Sequence, residues 1–425
     1  MNTKRLVIIQ YTIKVTIIAI SIFTLSNCAT LNIPEITKIT HDTTIEKDIE
    51  YLASDELKGR ETGSEGEQLA ADYIKKRFKS LGVSPKGTDG YYQDFAVKDK
   101  DNPHGAEFSD IGDITVRNVV GYIDNGAQNT VVIGAHYDHL GLGSFGSLYT
   151  EGPAIHNGAD DNASGVAGML HLAKVLRGKH TSNNYLFIAF SGEEHGLWGS
   201  NYYTKNPTID LKKATYMFNM DMIGRLNAEG VLSVNGVGTS PSWNKVMKKA
   251  KVKGLSIVTT EGGMGASDHT SFYLSEVPAL HFFTGQHMDY HKPSDDEEKI
   301  NYNGIELVME YMLVLIEKLD NKGDLVWTET KSSNITRRRS FKVTLGVMPD
   351  YLFAGEGMRI DGVKSDRPAG IAGIEKGDIV IQMAEHKVGG MESYMDLLAK
   401  FGPGDTIIVK VKRGKKIVEK KVVFD

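Results

Sequence analysis

Two pairs of adjacent, identical acidic residues lie in short glycine-containing stretches of this 425-residue sequence. The stretch GADDNASG places Asp160 beside Asp161, and SGEEHG places Glu193 beside Glu194. Adjacent carboxylates repel each other unless a positive charge lies nearby, and a bound metal ion would supply that charge. Capping of the helix that follows would explain the aspartates alone, and exposure to solvent would explain the glutamates alone. Both interpretations stay open for each pair taken by itself.

Three further stretches, HYD, FNMDMIG and GQHMDYHKPSD, contain His136, Asp138, Asp221 and His291. Residues i and i+2 of an extended chain point the same way, so Asp138 can reach the imidazole of His136. A histidine that binds a metal commonly donates its second ring N–H to such a carboxylate. All these side chains offer nitrogen or oxygen and none offers a thiolate. Such donors suit zinc in a catalytic role and do not exclude cobalt or manganese.

Apolar runs suited to buried strands lead into most of these residues. The runs are TVVIGAH (130–136), NYLFIAFSG (184–192), ATYMFNMD (214–221) and VPALHFFTG (277–285). Helical stretches such as GVAGMLHLAKVL (165–176) lie between them, which predicts an α/β fold with a mostly parallel central sheet flanked by helices. In such a sheet, ligands bind beyond the carboxyl ends of the strands. The sequence therefore predicts that the candidate residues converge at one edge of the sheet.

The rest of the chain indicates more than one domain. Residues 43 to 83 have helical periodicity around a Gly-rich turn, KGRETGSEGE, and residues 84 to 113 read as loop. A closing amphipathic helix is predicted over residues 300 to 319. We predict a catalytic domain over 43–320, a polar linker over 321–339 and a small β-rich domain over 340–425. The net charge of -5 gives no reason to expect nucleic acid as a partner.

Residues 1–28 resemble a lipoprotein-type signal peptide. Basic residues precede an eleven-residue apolar run, which is too short to span a bilayer comfortably, although a retained short anchor is the alternative. The single cysteine of the chain, Cys28, follows in LSNCAT, where Asn27 departs from the small residue usual before a lipidated cysteine. We therefore expect an exported protein that a lipid on Cys28 anchors to a bacterial membrane, in the periplasm or at the cell surface.

The motifs HYD, GADDNASG, SGEEHG, FNMDMIG, SDHTSF and DYHKPSD, in this order, resemble the co-catalytic zinc aminopeptidases of peptidase family M28. The resemblance covers roughly residues 43 to 320 and implies a zinc-exopeptidase fold with two Zn²⁺ ions, for which Co²⁺ or Mn²⁺ could substitute. It implies that Asp161 bridges the two ions. The complete set of implied metal ligands is His136, Asp161, Glu194, Asp221 and His291.

The same resemblance implies roles for the residues around these ligands. Glu193 would act as the general base, and Tyr290 would stabilise the oxyanion. Asp138 would support His136, while Asp160 would shape the loop beside Asp161. The implied substrates are peptides with a free N-terminus, from which one residue is hydrolysed at a time.

The C-terminal stretches FKVTLGVMPDY, GDIVIQM and FGPGDTIIVKVKR resemble a PDZ domain. Such domains add an extended peptide to a sheet edge and hold its terminal carboxylate on backbone N–H groups. The resemblance implies that Leu345, Gly346 and Val347 form this carboxylate-binding loop, and that a C-terminal peptide is a possible ligand.

Two other functions are compatible with these motifs. A glutaminyl-peptide cyclase of the same fold uses a similar site with one zinc ion. A non-catalytic lipoprotein whose PDZ domain binds peptides is the second alternative, although such a protein has no use for a base beside a metal site.

Overall fold

The computed structural model describes residues 43–98, 107–109, 114–143, 146–330, 342–350, 353 and 355–424. The predicted signal peptide and Cys28 lie outside these residues, as does the part of the predicted linker from residue 331 onwards. Within the described chain, no helix is both long and apolar enough to cross a membrane.

One large sheet forms the centre of the region predicted to be the catalytic domain, residues 43–320 (the catalytic region). Its ten strands are β1 (Ser84–Pro85), β2 (Tyr92–Lys98), β3 (Glu107–Ser109), β4 (Ile114–Ile123), β5 (Thr130–His136), β6 (Asn184–Phe190), β7 (Ala214–Met220), β8 (Val231–Asn235), β9 (Ser256–Thr260) and β10 (Ala279–Phe283). The strand order is β3-β2-β4-β6-β5-β7-β10-β8-β9, with β1 paired to β4. The four central strands, β6, β5, β7 and β10, are mutually parallel. This confirms the predicted fold class.

Helices cover both faces of this sheet. They are α1 (Thr43–Leu52), α2 (Glu65–Ser80), α3 (Gly165–Leu176), α4 (Trp198–Lys205), α5 (Ser242–Met247), α6 (His269–Leu274) and α7 (Tyr302–Leu319). Alternate strand residues point to opposite faces, so Val131 and Ile133 pack with α1, α2, α3 and α7, whereas Val132 packs with α4 and α6. The predicted strands and helices around the candidate site are thus present, and α3 has the predicted bounds.

The loop predicted over residues 84 to 113 is wrong in part, because β2 lies within it. β2 pairs with β4 from Tyr92↔Val119 to Val97↔Ile114. The buried apolar residues of β2, among them Phe95 and Val97, lie in its second half, whereas Asp94 is exposed. A strand this polar is stabilised by its partner, so its own sequence gives a weak signal.

The β-rich C-terminal domain has its own apolar core. Its elements are β11 (Val347–Pro349), β12 (Met358–Val363), α8 (Pro368–Ile371), β13 (Ile379–Met383), β14 (His386–Lys387), α9 (Met391–Leu398), β15 (Thr406–Arg413) and β16 (Lys416–Val423). The described strands pair antiparallel in the order β11-β12-β13-β15-β16, with β14 paired to β13. The buried residues of this core form a cluster separate from those of the large sheet.

The described part of the predicted linker, residues 321–330, packs on the catalytic region. Leu325 belongs to the core of the large sheet. The Thr330 N–H and hydroxyl lie 2.9 and 3.1 Å from the hydroxyl oxygen of Tyr273, and the Gly263 N–H donates to Thr330 Oγ1 at 3.1 Å. This stretch therefore follows the surface of the catalytic region.

Candidate active site

The parallel strands bring the candidate residues to one edge of the sheet. His136 is the last residue of β5, and Asp221 follows β7 directly. Glu193 and Glu194 lie just beyond β6, and His291 lies in the loop after β10. Asp160 and Asp161 lie in the turn that leads into α3. The predicted convergence of these residues is therefore present in the structure.

Three predicted ligands form a first donor set: His136, Asp161 and Asp221. His136 Nε2 lies 3.3 Å from Asp161 Oδ1 and 3.4 Å from Asp221 Oδ1. All three residues are buried, and they can hold one metal ion between them.

A second donor set consists of His291, Asp161 and Glu194. His291 Nε2 lies 3.3 Å from Asp161 Oδ2 and 3.3 Å from Glu194 Oε2. Asp161 therefore presents one carboxylate oxygen to each set. A carboxylate shared in this way is placed to bridge two cations, which is the position that the family resemblance implies.

The spacing and charge of both sets fit zinc. In a tetrahedral site with zinc–ligand bonds of about 2.0–2.1 Å, neighbouring ligand atoms lie roughly 3.3–3.4 Å apart. The four distances above have these values. Although burial opposes protonation, Glu194 and Asp161 raise the pKa of His291 to about 11. The surrounding charge therefore favours a cation in the space that the two sets enclose.

Backbone carbonyls orient both histidine rings. His136 Nδ1 lies 3.2 Å from the Asp138 carbonyl oxygen, and His291 Nδ1 lies 2.8 Å from that of Gly146. Because a carbonyl only accepts hydrogen bonds, each Nδ1 carries the proton and each Nε2 lone pair faces its donor set. The histidines are thus held in the tautomer that a metal requires.

Asp138 contacts His136 more closely through its backbone carbonyl than through the carboxylate, which is the group that the sequence predicted to reach the imidazole. Its carboxylate is 3.7 Å from His136 Nδ1, so its backbone carbonyl makes the closer contact with the ring. Its Oδ2 accepts a hydrogen bond from Thr62 Oγ1 at 2.8 Å, and its Oδ1 accepts one from the Glu193 N–H at 3.2 Å. The Asp138 side chain therefore positions the predicted base as well as lying beside the histidine.

His139 contacts the second donor set but was not among the predicted site residues. Its Nδ1 lies 2.8 Å from Glu194 Oε1 and 4.0 Å from Asp161 Oδ2. These three residues could also be grouped as a metal site. However, 2.8 Å is a hydrogen-bond distance and is shorter than the roughly 3.3 Å between two ligands of one zinc ion. We therefore interpret His139 as a donor that orients Glu194, and His291 as the ligand.

Glu193 lies in a strongly perturbed environment. Burial raises the pKa of Glu193 well above its usual range; His136 opposes this shift, and Asp221, Glu194 and Asp268 add to it. Burial likewise raises the pKa of Asp268, the acidic residue of SDHTSF, to about 7. A carboxylate with high proton affinity beside a metal site is a candidate general base.

Asp160 points away from both donor sets. Its Oδ1 accepts hydrogen bonds from the Gly224 N–H at 2.6 Å and from Ser164 Oγ at 3.0 Å, while its Oδ2 lies 3.1 Å from His287 Nε2. Asp295 Oδ2 accepts the N–H groups of both Asp160 and Asp161 at 3.0 Å. Asp160 thus fixes the conformation of the loop, whereas Asp161 contributes one carboxylate oxygen to each donor set.

Tyr290 lies against the second donor set. Its ring stacks on that of His291 with centroids 3.7 Å apart and an interplanar angle of 23°. Burial raises the pKa of Tyr290 well above its usual range, and Asp161, Glu194, Glu193 and Asp221 add to this shift. The phenol therefore keeps its proton and remains a hydrogen-bond donor.

The predicted carboxylate-binding loop of the C-terminal domain is partly engaged in internal contacts. The Gly346 N–H donates to Thr344 Oγ1 at 3.0 Å. The Leu345 and Gly346 carbonyls accept from the N–H groups of Ala369 and Lys364, each at 2.9 Å. Gly346 has φ +72°, and a Cβ there would lie 2.1 Å from Arg367 Cβ, so only glycine fits. Val347 begins the edge strand β11.

Sequence reasoning gave no role to three buried polar residues near the site, namely Arg60, Thr62 and Glu67. All three lie within the Gly-rich turn KGRETGSEGE. Polar side chains in a turn are usually exposed, so the residue types alone do not predict that these three side chains are buried near the site. Their contacts with loops distant in sequence become visible only in the folded chain.

Two family models match the chain, and both agree with the resemblances described above. The model of peptidase family M28 matches residues 118–316, and a PDZ domain model matches residues 312–423. Aminopeptidase YwaD of Bacillus subtilis (strain 168) is 30% identical over 207 residues, which cover 46% of this chain and 39% of that protein. This chain thus spans well under two thirds of that relative's length.

Solved structures share the fold of the catalytic region. A zinc aminopeptidase from Bacillus subtilis, BSAP, has a TM-score of 0.51 at 18% identity, covering 67% of this chain and 97% of that chain. Porphyromonas gingivalis glutaminyl cyclase has a TM-score of 0.53 at 18% identity, covering 66% and 98%. Since one architecture serves both activities, the reaction must be argued from the site.

Proposed function

We propose that this protein is an aminopeptidase with two zinc ions, since the model of peptidase family M28 matches residues 118–316 and a PDZ domain model matches residues 312–423. It removes the N-terminal residue from peptides. One observation carries the proposal: Asp161 offers one carboxylate oxygen to each of two donor sets that have zinc-like spacing.

In this proposal the first donor set would hold one zinc ion and the second donor set would hold the other. Zinc bound there supplies Lewis acidity, which lowers the pKa of water and polarises the scissile carbonyl. Glu193 takes the proton of the attacking water, because its environment gives it a high proton affinity. Glu193 then gives that proton to the leaving amine. The Asp138 carboxylate keeps Glu193 in place by accepting its N–H.

Tyr290 assists by donating its hydroxyl hydrogen to the oxygen that becomes negative during attack. Its raised pKa keeps the donor protonated over the working pH range. One such donor contributes roughly 3–4 kcal/mol to transition-state stabilisation in enzymes that use an oxyanion hole.

The charge of the site explains the proposed exopeptidase action. The carboxylates of four acidic residues lie close together, two of them buried (Asp161 and Asp221) and two half-buried (Glu193 and Glu194). A positively charged α-amino group complements that field, whereas a blocked N-terminus carries no such charge. Substrates with a free N-terminus are therefore favoured.

Exposed apolar side chains flank the second donor set. Leu142, Leu148 and Met288 are 50%, 46% and 54% exposed. The Leu148 N–H donates to the His291 carbonyl oxygen at 2.9 Å, which fixes the loop of Leu148 beside the site. We propose that this rim contacts the first side chain of the substrate and favours apolar N-terminal residues.

No observation specifically favours a glutaminyl cyclase, since the structural similarity covers both classes of enzyme. The second donor set favours the peptidase, because a single-zinc enzyme does not need it. A purely peptide-binding protein is disfavoured by the half-buried Glu193 beside the two donor sets.

Residues 1–28 are proposed to direct export, with Cys28 carrying a lipid in a bacterial membrane at the periplasmic or cell surface. Proposed partners are peptide substrates and a C-terminal peptide at the loop of Leu345, Gly346 and Val347. Co²⁺ or Mn²⁺ are proposed substitutes for zinc, because the donors are nitrogen and oxygen.

The proposal is tested with zinc-loaded protein that begins at residue 29. It should release leucine from Leu-p-nitroanilide faster than lysine or glutamate from the matching anilides, and leave acetyl-Leu-p-nitroanilide intact. The control is Glu193→Gln, which keeps the shape of the side chain but removes the base. Conversion of N-terminal glutamine to a cyclised product without peptide hydrolysis would support the cyclase instead.

A further inference from the structure

The Gly-rich stretch 58–67, which leads into the first turn of α2, contains three buried polar side chains that the proposed mechanism does not use. Arg60 is 1% exposed, Thr62 is 7% exposed and Glu67 is 3% exposed. The stretch also precedes the part of the chain that the family M28 model matches, residues 118–316. Burying such groups costs free energy unless they make hydrogen bonds, so their contacts are informative.

The stretch is attached directly to the loop that follows β5. The His139 N–H donates to the Arg60 carbonyl at 3.1 Å, and the Gly141 N–H donates to the Gly59 carbonyl at 3.0 Å. Gly59 has φ +74°, and a Cβ there would lie 2.5 Å from the Gly141 carbonyl oxygen. Glycine is therefore required for the two chain segments to approach so closely.

Arg60 links two of the loops that carry ligands. Its Nε donates to the Tyr137 carbonyl at 2.9 Å, Nη1 to that of Asn157 at 2.6 Å and Nη2 to that of Gly158 at 3.1 Å. The planar guanidinium holds these carbonyls in a fixed relative geometry. The loop of His136 and the loop of Asp161 are thereby joined through one side chain.

Thr62 and Glu67 reach the loop that carries Glu193. The Thr62 hydroxyl donates to Asp138 Oδ2 at 2.8 Å, and Asp138 Oδ1 accepts the Glu193 N–H at 3.2 Å. Glu67 contacts the Ser191 hydroxyl through Oε1 and accepts the Gly63 N–H through Oε2 at 2.6 Å. Two routes therefore run from the stretch to the residues beside the base.

We propose that residues 58–67 are a positioning element of the active site, in which Thr62 fixes Glu193 through Asp138. The inference rests on the proposed role of Glu193 as general base. With both oxygens engaged, the Asp138 carboxylate cannot rotate. Without the Thr62 hydroxyl it is free to turn towards His136 Nδ1, 3.7 Å away, and to release the Glu193 N–H. A displacement of about 1 Å at a catalytic group can cost about 100-fold in rate.

The test is a comparison of Thr62→Val and Thr62→Ser. Valine keeps the volume and removes the hydroxyl, whereas serine keeps the hydroxyl. Thr62→Val should lower kcat by about 10- to 100-fold with KM and zinc content unchanged, because the base is misplaced while the ligands stay. Thr62→Ser should stay within about threefold of the wild-type kcat, since its hydroxyl can make the same hydrogen bond.

Thr215→Val is the matched control. Thr215 is 2% exposed, and its hydroxyl donates to the Gly323 carbonyl at 3.0 Å in another part of the catalytic region. This variant also loses the hydrogen bonds of a threonine hydroxyl, including one accepted from the Leu325 N–H at 3.2 Å, so it should lower thermal stability and leave kcat unchanged.

Three outcomes would overturn the inference: a Thr62→Val kcat within twofold of wild type, an equal loss in Thr62→Ser, or a loss of rate explained by lost zinc. If Thr62→Val does not fold, Thr62→Ala is compared with Thr62→Ser by the same criteria. A wild-type protein without peptidase activity contradicts the proposed function. An active wild type with an unaffected Thr62→Val contradicts only the positioning role.

Discussion

At the scale of single residues, the site depends on which oxygen or nitrogen faces which neighbour. Asp160 and Asp161 are adjacent in sequence and chemically identical, yet their carboxylates have opposite surroundings. Asp160 accepts hydrogen bonds from Gly224 and Ser164, whereas Asp161 faces His136 with one oxygen and His291 with the other. Although burial acts in the opposite direction, the neighbouring His136 and His291 hold the pKa of Asp161 well below its usual range.

The first prediction compares Asp161→Asn with Asp160→Asn. Asp161→Asn removes the shared negative charge, so zinc should be lost from both donor sets and the rate should fall by about 10³-fold or more. Asp160→Asn can keep an oxygen for the Gly224 N–H and turn its amide towards the His287 ring. Both zinc ions should then remain, with a loss of less than about tenfold in rate. Elemental analysis and initial rates measure these effects, and equal zinc loss in the two variants would refute the assignment.

The sequence predicted that the candidate residues converge, because their types are chemically restrictive and apolar runs precede them. His136, Glu194, Asp221 and His291 all lie where strand ends bring them together. It did not predict His139, whose contact with Glu194 joins residues 55 positions apart. Nor did it predict that the Asp138 backbone, rather than its carboxylate, makes the closer contact with His136. Such contacts depend on loop conformation, which the residue types do not determine.

At the scale of elements, buried strands were predictable and polar edge strands were not. β5, β6 and β7 are fully buried over their whole lengths, and continuous apolar runs encode them. β2 carries exposed Asp94 among buried residues, so its sequence lacks a continuous apolar run. Its pairing with β4 stabilises the strand instead. The sequence of the Gly-rich stretch 58–67 likewise suggests an ordinary connection between helices, although its side chains reach three loops of the site.

The second prediction concerns Glu67, which lies in the first turn of α2. Burial raises the pKa of Glu67 from 4.5 to about 8, with a further contribution from the charge of Asp138. A folded-state pKa above the unfolded value means that folding favours the protonated acid. This stabilisation is fully present below about pH 4.5 and is lost as the pH rises through about 8. Each pKa unit corresponds to about 1.4 kcal/mol, so the loss is on the order of a few kcal/mol.

Glu67→Gln is neutral at every pH and keeps the shape of the side chain. Its free energy of unfolding should therefore fall less than that of the wild type between pH 5 and about 8, as measured by urea denaturation. Glu65→Gln is the control, since the Glu65 side chain is 81% exposed in the same region. Parallel pH curves for wild type and Glu67→Gln would contradict the expected titration.

At the scale of the whole molecule, the described C-terminal domain has an apolar core of its own. The C-terminal core shares no residue with the core of the large sheet. Residues 321–330 nevertheless belong physically to the catalytic region, through Leu325 and the hydrogen bonds of Thr330. The predicted change from catalytic domain to linker at residue 321 therefore does not coincide with a loss of contacts.

The third prediction follows from those contacts. A chain that ends at residue 330 should keep peptidase activity on small substrates and the thermal stability of the catalytic region. A chain that ends at residue 320 should be less stable, because it loses the burial of Leu325, worth about 1.5–3 kcal/mol, together with the hydrogen bonds of Thr330. Differential scanning calorimetry of the two truncated chains makes the comparison. Identical unfolding temperatures would show that residues 321–330 contribute nothing.

The central claim is that Asp161 bridges two zinc ions, and anomalous scattering at the zinc absorption edge from crystals of the zinc-loaded protein tests it most directly. We predict two peaks, one contacting His136 and Asp221, the other contacting His291 and Glu194, and both contacting Asp161. A single peak, or a second peak bound by His139 in place of His291, would contradict this account.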